Sequence, residues 1–206
     1  MNNNITEKYV PIFLIVSSYI FGIICIKLNF YRELVQLTWF QMLLTTGVLI
    51  YVLREKNSLG FYKFLGLSYT VGFLVEIAGV NTGIIFGAYS YGEALGWKIW
   101  GTPWIIGLNW FIVTYIINQV IGKWKLQRVV HAILAGIIIT FLDYIIEPNA
   151  INLGMWSWES QDIPLKNYIA WFVISFGLSY YYHTQNLPSK WISKIVLVMM
   201  ILFFIV

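Results

Sequence analysis

One cysteine, two histidines and charged side chains at only 11% of 206 positions are a thin supply for a catalyst, and each scarcity closes off a class of chemistry. Cys25 has no second cysteine to pair with, so neither a disulfide nor a thiolate-bound metal cluster is available within the chain. His131 and His183 cannot furnish the many imidazole ligands of a membrane di-iron hydroxylase or desaturase. Aspartate occurs only at Asp143 and Asp162, which leaves out the paired aspartate-rich Mg-pyrophosphate motifs of membrane prenyltransferases. No GxGxxG and no Walker-type loop is present, arguing against flavin, nicotinamide or ATP chemistry. What survives is redox-neutral chemistry, with neither a cofactor nor a metal expected.

What the chain has in abundance is apolar surface: 59% of residues are hydrophobic and mean hydropathy is +0.74. Soluble domains carry about 25% charged residues. The expectation is an all-α, polytopic membrane bundle of about seven transmembrane helices at ~20 residues each, a single integral-membrane domain over 1–206 in the plasma (inner) membrane. The apolar runs place the spans near 9–26, 34–53, 60–76 (extending toward 86), 103–121, 129–146, 167–183 and 190–206. Residues 1–8 are polar and expected to fray. No small-residue cleavage site follows the first span, so it reads as a span rather than a signal peptide. Pro103 is placed to open the fourth span, and Pro148 to stop the fifth at Glu147, because the residue before proline disfavours helix.

Basic residues fall unevenly on the two sides of this arrangement. Lys8, Arg54, Lys56, Lys63, Lys123, Lys125, Arg128, Lys190 and Lys194 share the N-terminal side, against Lys27, Arg32, Lys98 and Lys166 on the other. The bias predicts a cytoplasmic N-terminus. It also accounts for the net charge of +4 without any nucleic-acid partner. The acids run the other way, with Glu33, Glu76, Glu93, Asp143, Glu147, Glu159 and Asp162 at or near the outer ends of spans.

The stretch from Glu76 to Trp110 departs from aliphatic helix. An acid closes an apolar run, glycines follow at 79, 83, 87 and 92, and between and after them stand Phe86, Tyr89, Tyr91, Trp97, Trp100, Trp104 and Trp110. An ionisable residue at membrane depth is expensive and marks a functional site by default. Desolvation disfavours the charged form of a carboxyl, so a proton donor beside electron-rich rings is expected, suited to acid chemistry on a hydrocarbon. Gly72, Gly79, Gly83 and Gly87 also approximate the small-residue spacing that lets helices approach closely. Asp143 and Glu147, four residues apart, share a helix face. With Glu76 they supply three carboxyls at similar depth, the raw material for a general acid and a general base; an interhelical hydrogen-bonded network is the alternative. Trp156 and Trp158 alternate, as do Tyr89 and Tyr91, so each pair faces one way in an extended segment. They read either as an interfacial aromatic belt or as a lining that stabilises a cation by roughly 0.5–2 kcal/mol per contact. Glu93, Glu159 and Asp162 fit solvated loops, and the two histidines fit interhelical or interfacial polar contacts away from the acids. Asn81, Asn109, Asn149, Asn152 and Asn167 are candidate orienting groups.

Seven spans invite comparison with a retinal-binding rhodopsin, but Lys190 and Lys194 sit in the first turns of the last span rather than midway along it. The order E76-x-x-G79-x-x-x-G83-x-x-F86-G87-x-Y89-x-Y91, then P103 and W110, resembles the membrane carotenoid-biosynthesis family, as does D143-x-x-x-E147-P148 followed by G154-x-W156-x-W158, P164-x-x-N167 and W171. That family contains carotenoid 1,2-hydratases acting on γ-carotene-like or bisanhydrobacterioruberin-like substrates. Glu147 stands where the family pattern leads one to expect aspartate before the proline. The resemblance implies hydration of the terminal double bond of an acyclic carotenoid end (lycopene, γ-carotene or a C50-type chain) to a tertiary alcohol. It implies Glu76, Asp143 and Glu147 as catalytic groups, and Asn81, Phe86, Tyr89, Tyr91, Trp104, Trp110, Trp156, Trp158, Asn167 and Trp171 as substrate-binding. The expected partners are a lipophilic carotenoid, the bilayer and other enzymes of the same pathway. A proton-driven cyclase of carotenoid ends is the nearest enzymatic alternative. A small-solute transporter using the carboxyls as proton relays is the alternative from another class.

Overall fold

The computed structural model describes residues 3–28, 30, 35–53, 58–160, 162–185, 187 and 191–205. Arg32, Glu33, Arg54, Lys56 and Lys190, which enter the charge comparison, lie outside the described residues, as do Asn186, Pro188 and Ser189 before the last helix. Seven α-helices are found among the described residues: α1 Asn3–Lys27, α2 Thr38–Leu53, α3 Ser58–Thr82, α4 Ile106–Ile121, α5 Arg128–Asn152, α6 Leu165–Tyr182 and α7 Ile192–Ile205. Three stretches, Tyr9–Lys27, Leu59–Thr82 and Arg128–Asn152, are long and apolar enough to cross a membrane, while Thr38–Val52 and Ile192–Ile205 are shorter apolar helices. Helix α1 begins at Asn3, inside the polar stretch expected to fray.

Helix α4 is the centre of the bundle. Every residue from Ile106 to Ile121 except Asn109 and Val120 is buried, and the helix packs on α2, α3, α5, α6 and α7. A helix apolar nearly all round suits either a buried position or lipid, and here the surrounding helices cover it. The outer helices show the complementary pattern. On α5, Ile133, Ile137, Phe141 and Tyr144 recur at helical spacing and are 41–60% exposed. An outward apolar stripe of this kind suits lipid rather than water, and the chain is a membrane protein.

Two proline expectations are corrected. Helix α5 does not stop at Glu147 but continues through Pro148 to Asn152. The proline removes one backbone donor and disfavours helix at Glu147, yet the last turn is held from outside. Asn149 Nδ2 donates to the Phe204 carbonyl at 2.5 Å, and the Met155 N–H donates to the carbonyl of the wholly buried Ala150. Pro103 does not open α4; it lies in strand β3 (Thr102–Pro103), paired with β2 (Lys98–Ile99). Trp100 and Gly101, at φ 50° and 77°, turn this hairpin. Two successive positive-φ residues are the geometry that matches strand twist in a two-residue turn, and the helix can begin only afterwards.

Two further strands, β1 (Tyr89–Tyr91) and β4 (Trp156–Trp158), pair antiparallel with Tyr89 opposite Trp158 and Tyr91 opposite Trp156. The two loops that carry alternating aromatics are therefore one ribbon, lying across the ends of α3 and α5. The glycine expectation is corrected in part as well. Gly83 and Gly87 lie beyond α3 at φ 62° and 127° and serve the chain's turn rather than helix contact. Gly72 and Gly79 do lie in α3, but what approaches them is aromatic side chain, as the site requires.

Candidate active site

Glu76 sits in the last two turns of α3, buried, between two notches cut by glycine. A Cβ at Gly72 would stand 2.4 Å from the Trp110 ring, and one at Gly79 would stand 2.5 Å from Phe86 and 3.2 Å from the Tyr89 hydroxyl. These gaps let three donors reach one carboxyl. Trp110 Nε1 donates to Oε1 at 2.9 Å, and Tyr91 donates to Oε2 at 2.7 Å. The Tyr89 hydroxyl donates to the same Oε2. Burial, followed by the charge on Glu76, holds the Tyr89 and Tyr91 hydroxyls above the usual phenol range, so both stay O–H donors. An indole N–H can only donate. The set around Glu76 is thus built for an acceptor on both oxygens.

Glu147 is held in a similar way from the other strand of the ribbon. Trp156 Nε1 and Trp158 Nε1 donate to its Oε2 at 2.8 and 3.2 Å. Their side chains face the same way because they alternate in β4, with Ser157 turned outward. Asp143, one turn earlier on α5, accepts from Asn167 Nδ2 at 3.0 Å, and the same amide reaches Glu147 Oε1 at 3.4 Å. Asn167 lies in the first turn of α6, three residues after Pro164, and bridges the two acids. Asp143 is only 3% exposed and accepts this one side-chain hydrogen bond among the described residues, which leaves one oxygen for a proton.

Glu76, Asp143 and Glu147 line one small cavity of about 30 Å³ together with Phe86, Tyr89, Tyr91, Trp156, Trp158, Asn167 and Trp171. Room for a water molecule begins at about 10–15 Å³ on this measure. Trp110 supports the wall, stacked on Trp171 with ring centroids 4.1 Å apart. Tyr89 lies 5.1 Å from Trp158 and Tyr91 6.3 Å from Trp156, centroid to centroid, so the cavity is enclosed largely by aromatic faces and edges.

Two expected contributors lie elsewhere. The Asn81 amide is used at the end of α3, donating to the Ile77 and Trp100 carbonyls at 2.8 and 2.9 Å, where it pins the β2–β3 turn. Trp104 is half-buried, its carbonyl accepting from the Tyr69 hydroxyl at 2.9 Å. Neither lines the cavity. Ile106, which does, was no candidate from sequence, and Asn109 was one of five orienting asparagines. His131 is buried at the far end of α5 against Asn118 (2.7 Å), which in turn donates to Ser179. His183 faces the Leu126 carbonyl at 3.3 Å. His131 makes an interhelical contact and His183 one to the α4–α5 connection, both remote from the acids, and Glu93 is exposed and paired with Lys98 at 2.7 Å.

A family model described as "Carotenoid biosynthesis protein" matches residues 36–206, from just ahead of α2 through α7. The chain belongs to the carotenoid biosynthesis protein family. Every group placed around the cavity of this carotenoid biosynthesis protein lies inside the matched residues. The chain is also similar to a bisanhydrobacterioruberin hydratase of Haloarcula japonica, 26% identical over 107 residues. That match covers 47% of the chain and 36% of the hydratase, so the chain spans well under half of that relative's length. No solved structure matches.

Proposed function

We propose that this carotenoid biosynthesis protein is a hydratase that adds water across the terminal double bond of an acyclic carotenoid end, giving a tertiary alcohol. The observation that carries the reading is the convergence of three buried carboxyls on a water-sized, aromatic-walled cavity. Asp143 is the general acid: it gives its proton to the less substituted carbon of the terminal alkene. The π electrons form the new C–H bond and leave a tertiary cation at the neighbouring carbon. Faces of Tyr89, Tyr91, Trp156 and Trp158 and the carboxylates of Glu76 and Glu147 stabilise that cation. Water attacks the cation, and Glu147 takes the proton released as the C–O bond forms. Asn167, hydrogen-bonded to both acids, holds them in register while the proton returns from Glu147 to Asp143, and the net change is the addition of one water. The chemistry draws on no redox cofactor and no metal.

A cyclase would begin from the same cation but must exclude water. Room for water beside the acids, and the hydratase named among the relatives, both support hydration. The proposed setting is a seven-span protein of the plasma (inner) membrane with a cytoplasmic N-terminus. Its acid cavity then lies toward the outer face, with other pathway enzymes as candidate partners.

The test is expression in a bacterium already making lycopene or γ-carotene, grown in oxygen-18-labelled water, with chromatography and mass spectrometry of the pigments. A product heavier by one water, its oxygen drawn from solvent, is expected. An isomer of unchanged mass would replace the hydratase by the cyclase.

A further inference from the structure

The acid cavity, at about 30 Å³, holds little more than a water and the reacting carbons. A carotenoid's remaining chain must lie elsewhere. A second and larger cavity of about 270 Å³ adjoins it, walled by α1, α2, α4 and α7. Its lining is almost wholly apolar and includes Phe21, Cys25, Met42, Ile112, Met200 and Phe203. Phe21 and Phe40, which also line it, are 58% and 53% exposed on the outside of the bundle, so the cavity opens toward lipid between α1 and α2.

One residue belongs to both cavities: Asn109, in the first turn of α4. It is also one of the two residues of that helix left incompletely buried, and its side chain makes no hydrogen bond among the described residues. Trp110, next in the chain, turns to Glu76, and Ile112, three residues on, faces the larger space. We infer that the cavity between α1, α2 and α7 is the binding site for the hydrocarbon chain of a linear polyisoprenoid. That chain enters from the bilayer between α1 and α2 and passes Asn109 to present its end to the acids. Pockets for whole small ligands run to roughly 300–1,000 Å³. A space of this size therefore takes the segment next to the reacting end and leaves the rest in lipid. Helix α1, which supplies one wall, lies outside the residues matched by the family, while the walls from α2, α4 and α7 lie within them.

The inference rests on the hydratase reading for the identity of the ligand, and its test separates the two. Cys25 is the only cysteine in the chain and lies in the cavity wall. Purified full-length protein in phosphatidylcholine liposomes is treated with N-ethylmaleimide, with and without lycopene in the bilayer, and Cys25 alkylation is followed by mass spectrometry. Lycopene at ~10 times its dissociation constant should slow alkylation about tenfold. Ser18→Trp, which fills the cavity from α1, should abolish that slowing while the protein stays in the membrane. An equal rate with and without lycopene overturns the inference, including the case in which a lipid acyl chain already occupies the space. Persistent slowing in Ser18→Trp also overturns it, since lycopene would then act from elsewhere. Hydrated pigment is scored in the same vesicles. Shielding without hydration removes the hydratase reading and leaves the cavity; hydration without shielding does the reverse.

Discussion

Glu76, Asp143 and Glu147 are chemically alike and differ in what surrounds them. A buried carboxylate without partners is costly, and hydrogen bonds to a charged group recover about 1.5–3 kcal/mol each. Glu76 accepts three such bonds from groups on β1 and α4, whereas Asp143 accepts one from Asn167. The donor inventory therefore sets the two apart, and the proposed mechanism asks for both. Asp143→Asn should cut hydrated pigment by at least ~10²-fold, the scale of a lost general acid, with little change in the thermal unfolding midpoint in detergent. Glu76→Gln should lose product as well. It should in addition destabilise the protein by about 1–3 kcal/mol, because the new amide NH₂ must face either the Trp110 indole or the two tyrosine hydroxyls, all of which donate to Glu76. Near-normal product from both variants, with each shown to be in the membrane, would take these residues out of the chemistry.

At the scale of elements, the helices could be read from apolar runs, but the piece that assembles the site could not. Tyr89 and Tyr91 lie 67 residues from the strand they pair with, judged by the contact of Ser90 with Ser157. Alternation within each loop signals a strand without naming its partner. Pro103 and Pro148 misled for a related reason. Local rules assign them to a helix start and a helix stop, while a hairpin turn at Trp100–Gly101 and anchors on Asn149 and Ala150 decide otherwise. The three carboxyls were legible because acids are so few in an apolar chain. Ile106 was not, since an isoleucine in a buried helix carries no distinguishing mark. A two-stranded ribbon has little stability alone, and this one depends on close backbone approach at Gly92. A Cβ there would meet the Gly154 carbonyl oxygen at 2.0 Å, and the Gly92 N–H donates to the Met155 carbonyl at 2.9 Å. Gly92→Ala should shift the β1–β4 register, loosen Trp156 and Trp158 from Glu147 and lower hydrated pigment sharply, at a stability cost of ~1–3 kcal/mol. Gly47→Ala on α2, where a Cβ meets nothing within 4 Å, is the matched control and should leave pigment unchanged, with no loss of stability. Equal pigment from the two variants would mean that the ribbon does not hold the site.

For the whole molecule, the question is which side of the bilayer the acid cavity faces. The ribbon, the β2–β3 hairpin and the start of α6 lie at one end of the bundle and carry Lys98 and Lys166. Lys123, Lys125 and Arg128 mark the opposite end, between α4 and α5, and Lys63 lies near the start of α3. Cationic side chains are retained on the cytoplasmic side, so the ribbon should face outward and water for the reaction should enter from there. Trp97, 86% exposed beside the hairpin, and Lys123, exposed beyond α4, bracket one central helix of 16 residues. That helix spans roughly 24 Å at 1.5 Å per residue, enough to separate the two positions across most of the hydrocarbon layer. Trp97→Cys and Lys123→Cys, each in a Cys25→Ala background, are to be treated in intact cells with a membrane-impermeant maleimide. Labelling at position 97 and protection at 123 until the cells are opened is the expected result. The reverse pattern, or equal labelling at both, would overturn the outward orientation. A reversed pattern would also mean that the acids draw water from the cytoplasm, although the chemistry at Asp143 and Glu147 would be unaltered. The orientation and the catalytic reading therefore stand or fall separately, because the first depends on lysines and arginines at the ends of the bundle and the second on three carboxyls within it.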